Sequence, residues 1–266
     1  MARLDVLLNG ISAVAKHLRI VGALMMRETT TRYGREGLGL LWLIGEPLIF
    51  VVGVIIMWSI IKPAYEHGIR VAPFVMTGYM CLLLLRHLIA SNLTALQANA
   101  GLLYHRRIKI LHIYMARCLL EFASNTVAFI VVYTALLLIG QIGLPSNLLL
   151  LYEGWLLLGW VAVGLSLTFA ALAIRFELFE RVAPVLQYAL IPLSGVFVMM
   201  AWLPEHYRDA LLTIPIAHPV EMVRAGVFGE FVKTYYNPGY AAVWAAGLTF
   251  FGLIMLAEAK HHIEID

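Results

Sequence analysis

Long apolar stretches alternate with short polar segments along most of the chain, and six of these stretches are long enough to cross a bilayer. A helix that spans the hydrocarbon core of a membrane needs about 20 mostly apolar residues. The stretches that meet this length are Leu38–Ile61, Ala72–Leu96, Tyr114–Ile139, Leu148–Ile174, Val182–Leu203 and Gly239–Leu256. The pattern therefore predicts an all-α integral membrane protein with six transmembrane helices. Residues 140–147, rich in Gly, Pro, Ser and Asn, predict a tight turn between the third and fourth spans.

A helical period marks residues 4–25, which precede the first span. The apolar positions fall on one stripe, formed by Leu4, Leu7, Leu8, Ile11, Val14, Ala15, Leu18 and Met25. The opposite stripe is polar with a net positive charge, formed by Asp5, Asn9, Ser12, Lys16, Arg19 and Arg27. Such a helix is typical of the membrane interface, and packing on a cytosolic partner is the alternative. Because Lys16 and Arg19 interrupt the region of a possible signal sequence, we expect no cleavable signal peptide.

The segment 204–238 contains two apolar stretches, Ala210–Ile216 and Val227–Val232, that are too short to span a bilayer. Pro215 and Pro219 interrupt it. Irregular backbone at membrane depth is tolerated only against protein or a water-filled cavity. We therefore expect two short re-entrant or interfacial helices on the outer side, with a plain extracytoplasmic loop as the alternative.

The composition excludes most other classes of protein. Of the 266 residues, 62% are hydrophobic and only 13% are charged, and the mean hydropathy is +0.85. Soluble domains have about a quarter charged residues. The two cysteines, Cys81 and Cys118, lie in apolar runs and do not suggest a disulfide scaffold. A net charge of +3 without a basic stripe gives no indication of nucleic-acid binding.

The distribution of Lys and Arg predicts the orientation, because cytoplasmic segments of membrane proteins carry an excess of them. Thirteen lie on the side that holds both termini and five on the other side, while Arg86 lies within the second span. We expect both termini in the cytoplasm. The corresponding division of the chain is an interface helix with its linker at 1–37, a six-span domain at 38–258 and a cytoplasmic tail at 259–266.

No catalytic signature is present in the sequence. The phosphate-binding pattern GxxxxGK[ST] is absent, as are HExxH and GxSxG. His261 and His262 are adjacent in the tail, where a solvated pair is a better interpretation than a metal site. We therefore expect no catalytic residue, no metal and no directly bound cofactor.

Ionisable residues inside the spans are the best candidates for function, since burying charge in hydrocarbon is costly. Arg86 and its neighbour His87 lie near the middle of the second span, so we interpret them as a cationic site facing a polar pathway. A structural ion pair of Arg86 with Glu46 or Glu121 is the alternative. Arg117 and Glu121 lie one turn apart in the third span, where they are able to pair.

Aromatic residues are frequent in the spans. Trp42 and Trp58 flank the first span, Tyr79 lies in the second, and Trp155, Trp160 and Trp202 lie in the fourth and fifth. Taken singly, each tryptophan is expected in the aromatic belt at a membrane interface. If several of them face one cavity instead, their rings would offer flat surfaces to sugars.

With these residues in view, the chain resembles the permeases of ABC-2 type polysaccharide exporters, and within them those of Gram-negative capsular polysaccharide export. The resemblance covers essentially the whole chain. Its most specific part is the run from Arg32 to Trp42, RYGREGLGLLW, followed by Glu46-Pro47. Two weaker matches are the stretch from Tyr79 and Arg86 to the basic loop after Asn99, and the stretch Pro219 to Arg224, where His218 replaces the usual asparagine.

The resemblance implies a homodimer in the bacterial inner membrane, driven by two separate ATPase subunits that hold ATP and Mg²⁺. It also implies a periplasmic adaptor and an outer-membrane channel as partners, and an acidic polysaccharide on a lipid anchor as cargo. Residues implied in coupling to the ATPases are Leu102, Tyr104, His105, Arg106, Arg107 and Arg35. Those of the outer re-entrant segment are His218, Glu221 and Arg224. Those that we expect along the substrate pathway are Arg86, His87, Trp42, Tyr79, Trp58 and Glu46.

Two rival functions remain at this point. In the first, the chain is a permease for another cargo, which would be an O-antigen, a teichoic-acid-like polymer or a small drug. In the second, the chain would be a six-span membrane enzyme such as an acyltransferase. Only Arg86, His87 and Glu46 are available to such an enzyme, and they include no pair of nucleophile and base.

Overall fold

The structure is a computed structural model that describes residues 2–33, 39–63, 65–103, 108–229 and 232–263. Within these ranges the chain is all-helical apart from one small hairpin, as the sequence predicts. The helices are α1 Ala2–Tyr33, α2 Gly39–Ile61, α3 Val71–Leu93, α4 Ala95–Ala98, α5 Ala100–Leu103, α6 Ile110–Leu138, α7 Leu148–Arg175, α8 Glu177–Leu193, α9 Glu205–Leu212, α10 Ala217–Phe228 and α11 Pro238–Ile263. The antiparallel hairpin pairs β1, Tyr65–Glu66, with β2, Ile69–Arg70, and a 3₁₀ turn covers Met200–Trp202.

Five of the helices, α2, α3, α6, α7 and α11, are long and apolar enough to cross a membrane. They coincide within a few residues with five of the six predicted spans. The pair α9 and α10, bent by 110°, would add a sixth crossing only if it were counted as one broken span. The structure thus contains five to six candidate spans, in agreement with a polytopic membrane protein.

The fifth predicted span, Val182–Leu203, has the wrong bounds. α8 begins at Glu177 and ends at Leu193, and turns follow before the 3₁₀ turn. Two acidic residues in its first turn favour the early start, because carboxylates stabilise the amino end of a helix. Pro192 in the last turn and Gly195, whose φ is 70°, bring the helix to an end.

The segment 204–238 folds into two short helices, but their bounds also differ from the prediction. α9 begins at Glu205, and the bend contains Pro215. Pro219 lies in the first turn of α10, where a missing N–H group removes no helical hydrogen bond. α10 ends just before Gly229. The φ of Gly229 is 64°, a backbone conformation that glycine adopts more readily than other residues and that commonly ends a helix.

α3 lies at the centre of the bundle. Within the chain, 78% of Val71–Leu93 is buried, compared with 11% of Ile44–Ile61 and 22% of Pro238–Glu258. α3 packs against α7, α6 and α2, and α7 packs in turn against α11 and α10. α2 and α11 are therefore the peripheral helices.

Small residues bring α7 and α11 close together. A Cβ atom at Gly164 would lie 2.8 Å from that of Leu248, and one at Gly252 would lie 2.8 Å from that of Leu167. Close backbone approach through glycine is a common way for transmembrane helices to associate.

α1 packs on the bundle through its second half. Val21 and Leu24 are buried in a small cluster with Ala95 and with residues of α6. Val14 and Leu18 of the predicted apolar stripe are instead 58% and 60% exposed. The described part of the protein does not bury these two side chains. The position of α1 at the membrane interface therefore stays a prediction.

Candidate functional site

The intramembrane cation faces α8. Arg86 and His87 are half-buried on α3, and the Arg86 guanidinium lies 4.9 Å from the centre of the Tyr188 ring. Among the residues that the structure describes, no ion pair involves Arg86, so the alternative pair with Glu46 or Glu121 is not formed. A cation that is held only by an aromatic face keeps most of its hydrogen-bonding capacity for a ligand.

Four aromatic rings form a continuous group that joins α2, α3 and the turn after α8. Phe197 stacks on Trp58 at 6.1 Å and meets Tyr79 edge-on at 5.6 Å, and Tyr79 lies 6.2 Å from Phe50. We call Phe50, Trp58, Tyr79 and Phe197 the aromatic cluster. Trp58 and Tyr79 thus contact a common ring, that of Phe197. A surface that they share along a substrate pathway stays a prediction.

The other two residues of the predicted pathway lie elsewhere on α2. Trp42 and Glu46 are one turn apart and both exposed, and Trp42 has 59% of its surface accessible. Among the described residues, no ring–ring contact joins Trp42 to the aromatic cluster. Pro47, which follows Glu46, is accommodated within an unbroken α2.

Not every tryptophan lies at the surface. Trp155 is only 5% exposed, and its indole N–H donates to the Thr126 hydroxyl at 2.9 Å. The expectation of an interface-belt position is therefore wrong for Trp155. Trp202 packs between Phe74 and His67, at 4.9 and 4.6 Å, and holds the hairpin β1–β2 against α3.

A fully buried arginine organises the end of the bundle that contains α10 and the turns after α8. Both Arg224 and Glu221 of α10 have 0% of their side chains exposed, and they pair at 3.4 Å. Nη1 of Arg224 donates to the carbonyls of Gly195 and Val198, each at 2.8 Å, and Nη2 donates to that of Val196 at 2.7 Å. The guanidinium also lies 4.8 Å from the centre of the Phe74 ring. Arg224 therefore satisfies the irregular backbone that follows α8.

Glu221 also forms hydrogen bonds with the segment that leads into α11. Its carboxylate oxygens accept from the backbone N–H groups of Met200 at 3.4 Å and Tyr235 at 3.3 Å. Buried polar groups of this kind are stable only when they are paired. The pair thus ties the turn after α8 to the segment between α10 and α11.

His218 fixes the bend between α9 and α10. Its Nδ1 accepts from the backbone N–H of Asn237 at 3.1 Å, which leaves the proton of the neutral ring on Nε2. Nε2 then donates to the Leu212 carbonyl at 2.9 Å. The geometry therefore gives His218 a structural role in joining α9, α10 and the start of α11.

The predicted coupling residues are only partly within the described ranges. Leu102 of α5 packs on the cluster that contains Val21 and Leu24 of α1. Tyr104, His105, Arg106, Arg107 and Arg35 lie outside the described residues. The short helices α4 and α5 precede this basic loop.

No group of three or more possible metal ligands occurs among the described residues. The sequence gives no indication of two residues of the site, Tyr188 and Phe197. Tyr188 faces Arg86 from within α8, while Phe197 meets Tyr79 from the turns that follow α8, and the Arg224 contacts lie in these same turns. The one available signal was an arginine in the apolar stretch between Pro219 and Gly229.

Comparison with known proteins gives consistent matches over this architecture. Residues 19–228 match the model of the ABC-2 type transporter family. The capsule polysaccharide export inner-membrane protein CtrC of Neisseria meningitidis serogroup B is 36% identical over 252 residues, which cover 95% of each chain.

Two further relatives have similar coverage. The capsule polysaccharide export inner-membrane protein BexB of Haemophilus influenzae is 35% identical over 92% of this chain and 93% of its own. The polysialic acid transport protein KpsM of Escherichia coli is 28% identical over 88% of this chain and 91% of its own. The match to the family model and the coverage of these relatives show that the chain belongs to the ABC-2 type transporter family.

Proposed function

We propose that the chain is the permease subunit of an ATP-driven exporter that moves lipid-anchored capsular polysaccharide across the bacterial inner membrane. The observation that carries this proposal is the end-to-end match to CtrC and BexB, whose names state capsule polysaccharide export at the inner membrane. An enzymatic role has no support, because the family is one of transporters and the described residues offer no catalytic constellation.

The proposed topology has six crossings with both termini in the cytoplasm. α8 covers 17 residues, about 25 Å at 1.5 Å per residue, which is slightly less than a bilayer core of about 30 Å. The turns at 194–199 complete this crossing, since protein buries them and Arg224 pairs their carbonyls. α9 and α10 then form a re-entrant hairpin on the outer side.

The proposed substrate pathway runs along α2, α3 and α8. Arg86 and His87 attract the carboxylates of an acidic polymer or the phosphate of its anchor, while Trp58 and Tyr79 offer ring faces to its sugars. Trp42 and Glu46 line the start of the path. A long polymer needs weak, repeated contacts, because tight binding at one place would stop its movement, as in ion conduction.

The proposed assembly contains two copies of this chain and two ATPase subunits that bind ATP and Mg²⁺. α1 with its linker, residues 1–37, and the basic loop after α5 face the ATPases from the cytoplasm. The six-span domain, 38–258, lies in lipid, and residues 259–266 form the tail. A periplasmic adaptor and an outer-membrane channel continue the path.

Deletion of the gene in an encapsulated host tests this function. We expect the mutant to lose surface capsule and to accumulate the polymer in the cytoplasm, and a plasmid copy of the gene to restore export. A mutant that keeps its surface capsule but loses another envelope polymer would contradict the assignment of the cargo.

A further inference from the structure

A buried ion pair joins α1 to α6. Nη2 of Arg117 lies 2.6 Å from Oε1 of Glu28, and the two side chains are 4% and 11% exposed. This contact lies one turn beyond Leu24, at the end of the region where α1 packs on the bundle. A charged contact therefore adds to the apolar one in attaching α1.

The same guanidinium reaches the end of α3. Nη1 of Arg117 donates to the Ser91 carbonyl and to the Thr94 hydroxyl, the latter at 3.3 Å. Ser91 lies in the last turn of α3, and Thr94 follows the helix directly. Since a guanidinium holds its donors in a rigid planar fork, one side chain fixes the relative positions of three elements, α1, α3 and α6.

The neighbouring residue of α1 reaches the segment α4–α5. Nη1 of Arg27 donates to Oδ1 of Asn99 at 2.7 Å. Asn99 lies between α4 and α5, is 3% exposed and donates to the Ala95 carbonyl at 3.0 Å. Consecutive residues of α1 thus contact Asn99, between the two short helices, and Arg117 of α6, which in turn reaches the end of α3.

These contacts resist separation. When one partner of a buried ion pair is removed, a charge without compensation remains in a poorly polar environment, which is strongly unfavourable. The Glu28–Arg117 pair therefore holds α1, α6 and the end of α3 together, and Arg27 joins α1 to Asn99 in the segment α4–α5. A surface pair such as Arg175–Glu258, 3.8 Å apart and more than half exposed, exerts no comparable constraint.

From this geometry we infer that Glu28 and Arg117, together with Arg27 and Asn99, form a coupling clamp. Glu28 and Arg117 are positioning residues that transmit movement of α4–α5 to the second and third spans. The inference rests on the proposed function, because the movement is supplied by ATPase subunits that dock on the cytoplasmic side.

The test compares Glu28→Gln with Glu258→Gln, which makes the same change in the exposed pair. Export is measured as surface capsule in cells that lack the native gene, and ATP hydrolysis is measured on the purified permease–ATPase complex in nanodiscs. We expect Glu28→Gln to reduce export about tenfold while hydrolysis stays within about twofold of the wild-type rate. Glu258→Gln is expected to change neither. Equal losses of export and hydrolysis in Glu28→Gln would show a merely structural role and overturn the inference.

A second variant guards against misfolding of Glu28→Gln. Arg27 is exposed, so Arg27→Met removes the contact with Asn99 without leaving a buried charge unpaired. Arg19→Met is its matched control, because Arg19 is an exposed arginine of the same helix with no side-chain bond among the described residues. We expect export to fall relative to hydrolysis in Arg27→Met alone.

Failure of the clamp and failure of the proposed function give different results. If the wild-type chain exports capsule with its ATPase and both Glu28→Gln and Arg27→Met match their controls, the clamp is refuted and the function stands. If the wild-type chain purifies without an ATPase and the deletion mutant keeps its capsule, the proposed function is refuted, and the clamp with it.

Discussion

Arg224 makes an irregular stretch of backbone acceptable within an apolar bundle. The carbonyls of Gly195, Val196 and Val198 have no helical partners, and each accepts a hydrogen bond from this one side chain. Glu221 balances the charge at 3.4 Å. The backbone carbonyls that Arg224 satisfies are therefore sufficient to explain why an arginine is buried at this position.

Truncation of Arg224 should therefore be severely destabilising. Arg224→Ala leaves three carbonyls and the Glu221 carboxylate without their partner, and we expect a loss of about 3–5 kcal/mol in the free energy of unfolding. Arg175→Ala, which removes an exposed arginine, should cost less than about 1 kcal/mol. The melting temperature of each variant is measured in detergent by heating samples and determining the fraction that remains folded by size-exclusion chromatography. Equal melting temperatures for the two variants would contradict this account of Arg224.

Gly78 allows α3 to approach the same stretch. A Cβ atom there would lie 2.6 Å from the Val196 carbonyl oxygen and 3.2 Å from Nη2 of Arg224. We expect Gly78→Ala to destabilise the protein by about 1–3 kcal/mol. Gly247 of α11 serves as the control, because a methyl group added there would have no neighbouring atom within 4 Å. Gly247→Ala should be neutral or stabilise by up to about 1 kcal/mol, and the opposite ranking would disprove the close approach at Gly78.

Arg86 is the residue whose substitution tests the proposed pathway. Arg86→Gln removes the charge that would attract an acidic polymer, so we expect export to fall about tenfold or more while the amount of assembled complex stays normal. Arg175→Gln is the control for loss of an arginine at the surface. Surface capsule measures export, and pull-down of the ATPase measures assembly of the complex. A normal amount of capsule in Arg86→Gln would rule out charge attraction at this position.

At the scale of elements, hydrophobic length alone locates five of the helices, because each contains a long apolar stretch bounded by polar residues or by a turn. The same criterion misplaces α8. Its apolar stretch continues through Gly195 and Val196 to Leu203, and hydropathy does not register that Pro192 and Gly195 end the helix. The bounds of α9 and α10 differ for a related reason, since Pro219 begins a helix, whereas a proline within an apolar stretch predicts an interruption.

The residues of the candidate site likewise divide into those that the sequence indicates and those that it does not. Arg86, Trp58 and Tyr79 could be selected from the sequence, because charges and aromatic rings in apolar spans stand out. Tyr188 and Phe197 could not, since the contact of Tyr188 depends on how α8 packs against α3 and that of Phe197 on where α8 ends. Glu28 gave no signal either, because its partner lies in a span that is distant along the chain.

The hairpin α9–α10 provides a direct test of the proposed topology. If it is re-entrant, residues at the start of α9 and after α10 lie on the same side of the membrane. We expect single cysteines replacing Tyr207 and Lys233 to react with a membrane-impermeant maleimide in intact spheroplasts, since Cys81 and Cys118 are buried. A cysteine replacing Leu178, 73% exposed at the start of α8, should react only after permeabilisation. Labelling of 207 and 233 from opposite sides would show that α9–α10 crosses the membrane.

At the scale of the whole molecule, apolar surface is distributed unevenly. Only 11% of the apolar window of α2 is buried within one chain, although α3 beside it is 78% buried. α2 must therefore meet lipid, a second copy of the chain or the cargo, and all three belong to the proposed assembly. In the proposed orientation, the cytoplasmic side presents α1 and the segment before the basic loop, which the coupling clamp joins to the bundle.

Co-purification from native membranes tests the proposed assembly. The tagged chain is extracted in mild detergent, its stoichiometric partners are identified, and the mass and ATP hydrolysis of the complex are determined. We expect two copies of this chain with two copies of an ATPase that carries a phosphate-binding loop, and hydrolysis of ATP by the complex. A chain that purifies alone, with neither an ATPase nor a second copy of itself, would contradict the proposed assembly.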